Sequence, residues 1–205
     1  MKILITGFEP FGESQVNPSE RLVNALAGRS FPGVALMTCI LPVDSARAPR
    51  ALLAALEDAQ PQAVICLGEA ARRARISIER VAVNLLDFSI PDNSGQKIQD
   101  LPVFSDGPDA YFATLPVRRL HTALQQAGIP AELSLSAGAY LCNQVMYTLL
   151  HHLHTRGQSH IPAGFIHLPL LPEQAAMFPG LPAASMTVET SLAAMEIILR
   201  ALDNG

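Results

Sequence analysis

The segment ELSLSAGAYLCNQVMYTLLHHLH, residues 132–154, contains a strand pattern followed directly by a helix pattern. Leu133 and Leu135 alternate with serines, which is the two-residue period of a strand. Gly138 falls where that period breaks and allows a sharp turn. The apolar residues beyond it recur at the three- and four-residue steps of an amphipathic helix: Tyr140, Val145, Met146, Leu149, Leu150 and Leu153. The segment therefore predicts a strand, a turn and a helix in immediate succession.

Cys142 falls in the first turn of this predicted helix. Free backbone N–H groups and the positive end of the helix dipole lie there, and both lower the pKa of a thiol. We therefore expect a reactive cysteine. A structural role stays open, because an unpaired cysteine in an apolar helical turn is also a common core residue.

The rest of the chain alternates short apolar strands with helices, which predicts an α/β protein with a mainly parallel sheet. A first helix begins at Pro18, with Asn17 as its cap, and Gly28 closes it. A second helix covers 44–59, where Pro49 is expected to delay the start, and further helices cover 117–127 and 187–202. Strands are predicted at 2–6, 34–41, 62–68 and 163–168.

Two segments depart from this alternation. Ile76 and Ile78 alternate with polar residues, which predicts a strand or a ribbon pair that leaves the alternation of the main sheet. Residues 94–109 are rich in Gly, Pro, Asp and Ser and predict a long irregular excursion.

The composition and charge limit the functions that this protein can have. The chain has 205 residues, of which 49% are hydrophobic and 16% charged, which suits one large domain and surface buried by self-association. The net charge is −4 and no run of Lys or Arg offers a stripe that could follow a phosphate backbone, so we expect no nucleic-acid partner. The sequence offers neither a signal peptide nor an apolar stretch long enough for a membrane span, so we expect a cytoplasmic protein without a membrane partner.

The spacing of the cysteines and histidines argues against a metal site. Three widely spaced cysteines argue against a disulfide framework and a zinc knuckle, and Cys39 and Cys66 lie inside predicted strands as core residues. The remaining candidate is the histidine cluster His151, His152 and His154, but no Asp or Cys accompanies it, so we expect no metal. Dinucleotide, P-loop and GxSxG motifs are also missing from the sequence, and we expect no cofactor.

A nucleophilic cysteine needs a base and a group that orients the base. His167 ends the apolar run GFIHLP, and the ends of parallel strands are where open sheets bind ligands. Glu79 interrupts an apolar context in ISIERVAVN. Its carboxylate suits either this orienting role or a simple ion pair with Arg80 or another cation.

Five segments together carry a resemblance to a known family. They occur in the order GFEPFG at 7–12, GEAARRARISIERVAVN at 68–84, IPDN at 90–93, SLSAGAYLCNQVMY at 134–147 and HLPLLPEQ at 167–174. In this order they resemble pyrrolidone carboxyl peptidase, also called pyroglutamyl peptidase type I. The segments around Cys142 and Glu79 are long enough to be specific, whereas GFEPFG alone would be weak.

The resemblance implies a cysteine peptidase that removes an N-terminal pyroglutamyl residue from peptides. It implies a single-domain three-layer α/β/α sandwich over residues 1–205, with a mainly parallel twisted sheet, assembled as a homotetramer or homodimer. Cys142 would be the nucleophile that forms a thioester, His167 its general base and Glu79 the group that orients the imidazole. The backbone N–H of Cys142 would hold the oxyanion.

The same resemblance implies a small apolar pocket for the lactam ring. Phe8 and Phe11 match the aromatics that sandwich the ring, Tyr140 resembles another wall residue, and the remaining substrate-binding positions are Asn17, Glu69 and Ile90.

Two positions depart from the family pattern. Glu69 replaces a Gln, and Ser89 replaces an Arg that would help to hold the oxyanion. Whether Ser89 donates instead, or one of Arg72, Arg73 and Arg75 does, stays open. For this reason a cysteine amidase with a changed substrate, or a catalytically weakened lactam-binding protein, remains an alternative.

Overall fold

The computed structural model describes residues 1–177 and 183–203. The strands in these residues are β1 (Lys2–Phe8), β2 (Ala35–Leu41), β3 (Ala63–Glu69), β4 (Ile76–Glu79), β5 (Val81–Val83), β6 (Ala110–Phe112), β7 (Ala131–Ser134) and β8 (Ala163–Leu168). The helices are α1 (Pro18–Leu26), α2 (Arg47–Ala59), α3 (Val117–Gln126), α4 (Leu141–Thr155), α5 (Pro172–Met177) and α6 (Val188–Asp203).

Six strands form one sheet in the order β2-β1-β3-β8-β4-β7. All neighbouring pairs are parallel except β4 and β8, which are antiparallel. Buried residues of α1, α3 and α6 pack with one face of this sheet, and those of α2 and α4 pack with the other. The predicted three-layer α/β/α arrangement with a mainly parallel sheet is confirmed.

The beginnings of α1 and α2 follow from their capping residues. The Asn17 side chain accepts a hydrogen bond from the Ser19 N–H at 2.9 Å, and Pro18 is the first helical residue, as the sequence predicts. The Asp44 Oδ1 atom accepts from the backbone N–H groups of Ala46 and Arg47. Because these bonds hold residues 44–46 in a turn, α2 begins later than its first predicted residue.

The segment after β3 divides between two sheets. β4 enters the main sheet between β8 and β7, whereas β5 leaves it and pairs with β6 in an antiparallel ribbon. The sequence predicted only that the segment would leave the main alternation, so the position of β4 within the main sheet is a correction. No helix lies between β3 and β4 to make a parallel crossover, and β4 enters the sheet antiparallel to β8. β6 and α5 were not predicted, because each is too short to show a period.

Residues 132–154 fold into the predicted strand, turn and helix. β7 ends at Ser134, Gly138 adopts a φ of 79° that favours glycine, and α4 begins at Leu141 with Cys142 in its first turn. In α6, Leu192, Met195 and Ile198 are buried, as expected. Of the two cysteines assigned to strands, Cys66 is fully buried and Cys39 is half-buried.

Candidate active site

The candidate site lies where β1, β3 and β8 end, on the face of the sheet covered by α2 and α4. Side chains alternate along β8, so that Phe165 packs with residues of α4 while Ile166 and Leu168 pack on the opposite face. His167 therefore shares the α4 face with Phe165, and the two rings lie 4.8 Å apart. This alternation directs the imidazole toward the helix that carries Cys142.

Glu79 reaches His167 because β4 runs antiparallel beside β8. Ser77 is paired with His167 in the register of these strands, and Glu79, two residues later, lies on the same face. The Glu79 carboxylate is fully buried, and its Oε1 atom lies 2.8 Å from Nδ1 of His167. The structure therefore places the Glu79 carboxylate in contact with the His167 imidazole.

Arg73 is a second partner of the Glu79 carboxylate. Its Nη1 atom donates to Glu79 Oε1 at 2.5 Å, and its Nη2 atom donates to the Ser136 carbonyl at 2.8 Å. Burial acts to raise the pKa of Glu79, but the contacts with His167, Ser134 and Arg73 outweigh it and lower the pKa. The carboxylate therefore stays ionised, and its cation is Arg73 rather than Arg80.

The ionised carboxylate determines which imidazole nitrogen carries the proton. Because Glu79 Oε1 can only accept a hydrogen bond, Nδ1 of His167 carries a hydrogen and Nε2 is left as a proton acceptor. Burial lowers the pKa of His167, Glu79 opposes this shift, and Arg73 adds to it. The imidazole is therefore neutral at neutral pH and suited to act as a base.

Gly68 places the thiol of Cys142 beside the strand that carries His167. Gly68 and His167 are register partners in β3 and β8. A Cβ atom built on Gly68 would lie 2.8 Å from Cys142 Sγ and 2.8 Å from the Cζ atom of Phe165. The sulfur therefore rests directly against the backbone of β3. In the part of the chain that the structure describes, no hydrogen bond yet joins this thiol to the imidazole; such contacts often tighten only when substrate binds.

The pKa of the Cys142 thiol is raised, which corrects the expectation from its helix position. Burial is the largest cause, and the carboxylates of Glu79 and Glu69 add to it, while Arg73 opposes it. The partial burial of Cys142 and the two nearby carboxylates together disfavour an isolated thiolate more than the helix dipole favours it.

The start of α4 supplies a free backbone donor beside the thiol. Tyr140 is the N-cap and its side chain makes no capping bond, while the first backbone bond into the helix is from Gln144 N–H to the Tyr140 carbonyl. The N–H of Cys142 therefore precedes the first bonded donor, as the geometry of a helix start requires. It has no acceptor among residues 1–177 and 183–203.

A small cavity opens over Cys142, with about 310 Å³ of atom-free space, part of it open to solvent. Its lining is mostly apolar and aromatic: Phe8, Phe11, Asn17, Val43, Glu69, Tyr140, Leu141 and Cys142. Five of the six side chains that the sequence assigned to substrate binding are in this set. Val43 and Leu141 were not predicted, because each looks like ordinary apolar packing in the sequence.

Hydrogen bonds between loops hold the walls of the cavity. Tyr140 donates its hydroxyl hydrogen to the Pro91 carbonyl at 3.1 Å, and its ring packs edge-on against Phe88 with centroids 4.6 Å apart. Burial raises the pKa of Tyr140 to about 12, so the hydroxyl stays protonated. Glu9 Oε1 accepts from the Val43 N–H and from the Asn93 side chain, which ties the GFEPFG loop to both neighbouring loops.

Comparison with known proteins identifies the family. A sequence model of pyroglutamyl peptidase matches residues 1–204. A pyrrolidone-carboxylate peptidase of Vibrio vulnificus is 47% identical over 198 residues, which cover 97% of this chain and 91% of the relative. Another, from Gloeobacter violaceus, is 49% identical over 203 residues, which cover 98% of this chain and 97% of the relative. The chain belongs to the pyroglutamyl peptidase family.

Solved structures of the family have the same fold. A mutant pyrrolidone carboxyl peptidase from P. furiosus superposes with a TM-score of 0.94 at 43% identity, covering 99% of both chains. The pyroglutamyl peptidase I of Bacillus amyloliquefaciens superposes with a TM-score of 0.93 at 34% identity, covering 100% of this chain and 97% of the other.

Ser89 and Ile90, which the family resemblance placed at the site, lie outside the lining of the cavity. Both are exposed, and Ile90 as a whole residue is 43% exposed. The loop reaches the wall through its backbone instead, because the Pro91 carbonyl accepts the Tyr140 hydroxyl. Of the three arginines considered as replacement cations, Arg72 and Arg75 are exposed, and Arg73 is the one that contacts Glu79.

Two of the three histidines considered as metal ligands, His151 and His154, have other partners. The ring of His151 stacks on Phe104 at 4.2 Å, and its Nδ1 atom lies 3.0 Å from the Tyr111 hydroxyl. Within the described residues, no group of three or more potential ligands is arranged to hold a metal ion. In the same residues, no helix has the length and apolar character needed to cross a bilayer.

Proposed function

We propose that this protein is a cysteine exopeptidase that hydrolyses the bond after an N-terminal pyroglutamyl residue. The observation that carries the proposal is the Cys142 thiol in a small, mostly apolar cavity, against Gly68 of β3. Gly68 is the register partner of His167, whose imidazole contacts the buried Glu79 carboxylate. Membership of the pyroglutamyl peptidase family supports the substrate class. We propose one catalytic domain over residues 1–205.

In the first half of the reaction, the Cys142 sulfur attacks the carbonyl carbon of the pyroglutamyl residue. As the S–C bond forms, the thiol proton passes to Nε2 of His167, and Glu79 stabilises the imidazolium through Nδ1. The backbone N–H of Cys142 donates to the developing oxyanion. His167 then returns the proton to the leaving nitrogen, the C–N bond breaks, and a thioester and a shortened peptide result.

Water completes the cycle by attacking the thioester carbon. His167 accepts a proton from the water and passes it to the departing sulfur when the S–C bond breaks. Free pyroglutamic acid leaves and the neutral thiol is restored. Because the thiol pKa is raised and that of His167 is lowered, both groups start neutral, and the proton moves during the attack rather than before it.

The cavity suits a neutral five-membered lactam. The aromatic rings of Phe8, Phe11 and Tyr140 offer flat apolar walls, with the centroids of Phe11 and Tyr140 6.4 Å apart. A lactam has no charged amino group to neutralise, and a small, mostly apolar slot with a few fixed polar groups is sufficient to bind it.

The test is release of a chromophore from a pyroglutamyl amide by purified variants. We expect Cys142→Ala and His167→Ala each to abolish release, because each removes a group that acts on the reacting atoms. Cys39→Ala and His160→Ala are matched controls at a half-buried cysteine and an exposed histidine away from the cavity, and they should keep wild-type rates. Full activity of either site variant would refute the mechanism.

A cysteine amidase of altered substrate choice is the second candidate, because the Glu69 carboxylate is part of the cavity lining. Comparing pyroglutamyl, prolyl and glutaminyl amides at equal enzyme concentration separates the two. A lactam-binding protein without activity would turn over none of them.

We further propose a cytoplasmic homotetramer or homodimer. The support is the hydrophobic composition of 49% together with large exposed apolar side chains such as Phe112, which is 71% exposed, and Leu135, which is 68% exposed. Light scattering at micromolar concentration should give the mass of an oligomer. A monomer alone would contradict this part of the proposal.

A further inference from the structure

Asn143, which directly follows Cys142, is fully buried, and its side chain bonds three backbone groups. Its Oδ1 atom accepts from the Val83 N–H at 2.9 Å, and its Nδ2 atom donates to the carbonyls of Val83 at 2.9 Å and Leu85 at 3.0 Å. These partners fix the orientation of the amide, because an N–H needs an acceptor and two carbonyls need donors. A buried amide is costly unless it is bonded, so Asn143 has to stay attached to residues 83–85.

The three bonds join the helix that carries the thiol to the chain that carries the Glu79 carboxylate. Glu79 is the last residue of β4, and β5 follows it and ends at Val83. Asn143 lies in the first turn of α4, next to Cys142. The Glu79 carboxylate in turn contacts the His167 imidazole. Asn143 therefore links the position of the thiol to the position of the imidazole and its carboxylate.

The start of α4 depends on such bonds, because its N-cap side chain makes no capping bond. Gln144 contributes one bond, from its Nε2 atom to the Ser45 carbonyl at 2.9 Å, and its Oε1 atom has no partner in the part of the chain that the structure describes. Asn143 contributes three. Because the Cys142 sulfur rests against Gly68, a shift of the helix start would move the sulfur relative to β3.

We propose that Asn143 is a positioning residue that holds the start of α4, so that the sulfur and the backbone N–H of Cys142 face the reacting carbonyl group. The inference rests on the proposed peptidase function. Asn143 acts through Cys142, since its side chain is fully buried and is not part of the cavity lining. A misplacement of a reacting group by about 1 Å costs about 10²-fold in rate. Loss of the three bonds should therefore slow the chemical step more than it weakens binding of the ring.

The experiment compares Asn143 with a second asparagine that makes the same kind of bonds. The Oδ1 atom of Asn84 accepts from the Phe104 N–H at 3.0 Å, and its Nδ2 atom donates to the carbonyls of Phe104 at 2.8 Å and Gly107 at 3.1 Å. These bonds lead to a loop rather than to the start of α4. Asn143→Ala and Asn84→Ala thus each remove three bonds to the backbone, but only Asn143→Ala releases the helix start that carries Cys142.

We expect Asn143→Ala to lower kcat on a chromogenic pyroglutamyl amide by about 10- to 100-fold, with KM little changed. KM should hold because Phe8 and Phe11 belong to the GFEPFG segment, which Glu9 holds to its neighbours. Asn84→Ala should keep the wild-type kcat, although both variants should melt at a lower temperature than the wild type.

Asn143→Leu keeps most of the side-chain volume without any hydrogen bond and serves as a second variant, with Asn84→Leu as its control. Wild-type kcat in a folded Asn143 variant, an increase of KM alone, or an equal fall of kcat in the Asn84 variants would overturn the positioning role. If neither Asn143 variant folds while both Asn84 variants do, Asn143 serves folding and the proposal also fails. If the wild type itself does not cleave the amide, it is the proposed peptidase function that fails.

Discussion

Gly68→Ala tests whether the thiol lies where the strand register places it. Gly68 has no left-handed φ, so the backbone accepts alanine and the added methyl group is the only change. That methyl carbon would lie 2.8 Å from Cys142 Sγ and 2.8 Å from the Phe165 ring. Because Phe165 is fully buried and packed, the sulfur on its helix start is the group expected to yield.

The size of the effect follows from the contact distance. Nonbonded carbon contacts are comfortable at roughly 3.5–4.0 Å. Relieving a 2.8 Å contact therefore displaces the sulfur by about 1 Å, away from Gly68 and its register partner His167. A misplacement of about 1 Å costs about 10²-fold in rate, and overpacking costs about 1–3 kcal/mol of folding free energy.

A matched control separates the effect of moving the Cys142 sulfur from the effect of destabilising the fold. In Gly164→Ala, on β8, the new methyl group would lie 2.8 Å from Leu115 Cδ1, in the packing on the far side from the thiol. Both variants should lose similar stability in thermal melts, but only Gly68→Ala should lose about 10²-fold in kcat/KM on a pyroglutamyl amide. Wild-type kcat/KM in a folded Gly68→Ala protein would refute the placement of the sulfur.

Two further variants test the charges around the site. Arg73→Met removes a cation that lowers the pKa of His167, so this pKa should rise. The acid limb of the pH profile of kcat/KM, which requires neutral His167, should then move to higher pH. The control Arg72→Met, at an exposed arginine, should leave this limb in place. Burial acts to raise the pKa of Asp92, but bonds from Ser45, Ser94 and Gln96 outweigh it and lower the pKa to about 2, against an ordinary value of 3.8. A depressed pKa stabilises the fold above the unfolded pKa, and the stabilisation is lost as the pH falls toward 2. Asp92→Asn should therefore cost about 2 kcal/mol at neutral pH, a difference that shrinks in acid unfolding curves, whereas Asp87→Asn, at an exposed neighbour, should cost little.

The elements that position Cys142 could be predicted because their sequence signals are local. The period change around Gly138 is contained in one segment of the sequence, and the cap at Asn17 requires only its neighbours. Such features do not depend on how the strands are ordered. The structure accordingly reproduces the turn, the helix start and the position of Cys142 within it.

The contact between Glu79 and His167 depends on information that the sequence does not display. The two residues are 88 positions apart, and they meet only because β4 enters the sheet antiparallel beside β8. A pattern of alternating apolar residues identifies a strand but not its neighbour or its direction. The contacts of Arg73 with Glu79 and of Gln174 with Glu69 could not be predicted for the same reason. Each contact joins two segments that only the order of the strands brings together.

The pKa of the Cys142 thiol shows that a local effect, here the dipole of the helix start, can be present and still be outweighed. A charge at a helix start is stabilised by about 0.3–1 kcal/mol, which is less than one unit of pKa. Burial can move a pKa by up to about 3–5, and here Glu79 and Glu69, contributed by other strands, act on the Cys142 thiol in the same direction as its partial burial. The dipole of α4 therefore cannot maintain a free thiolate at rest. In the proposed mechanism the start of α4 contributes only once charge develops, when the backbone N–H of Cys142 faces the oxyanion and His167 holds the proton that the sulfur has released.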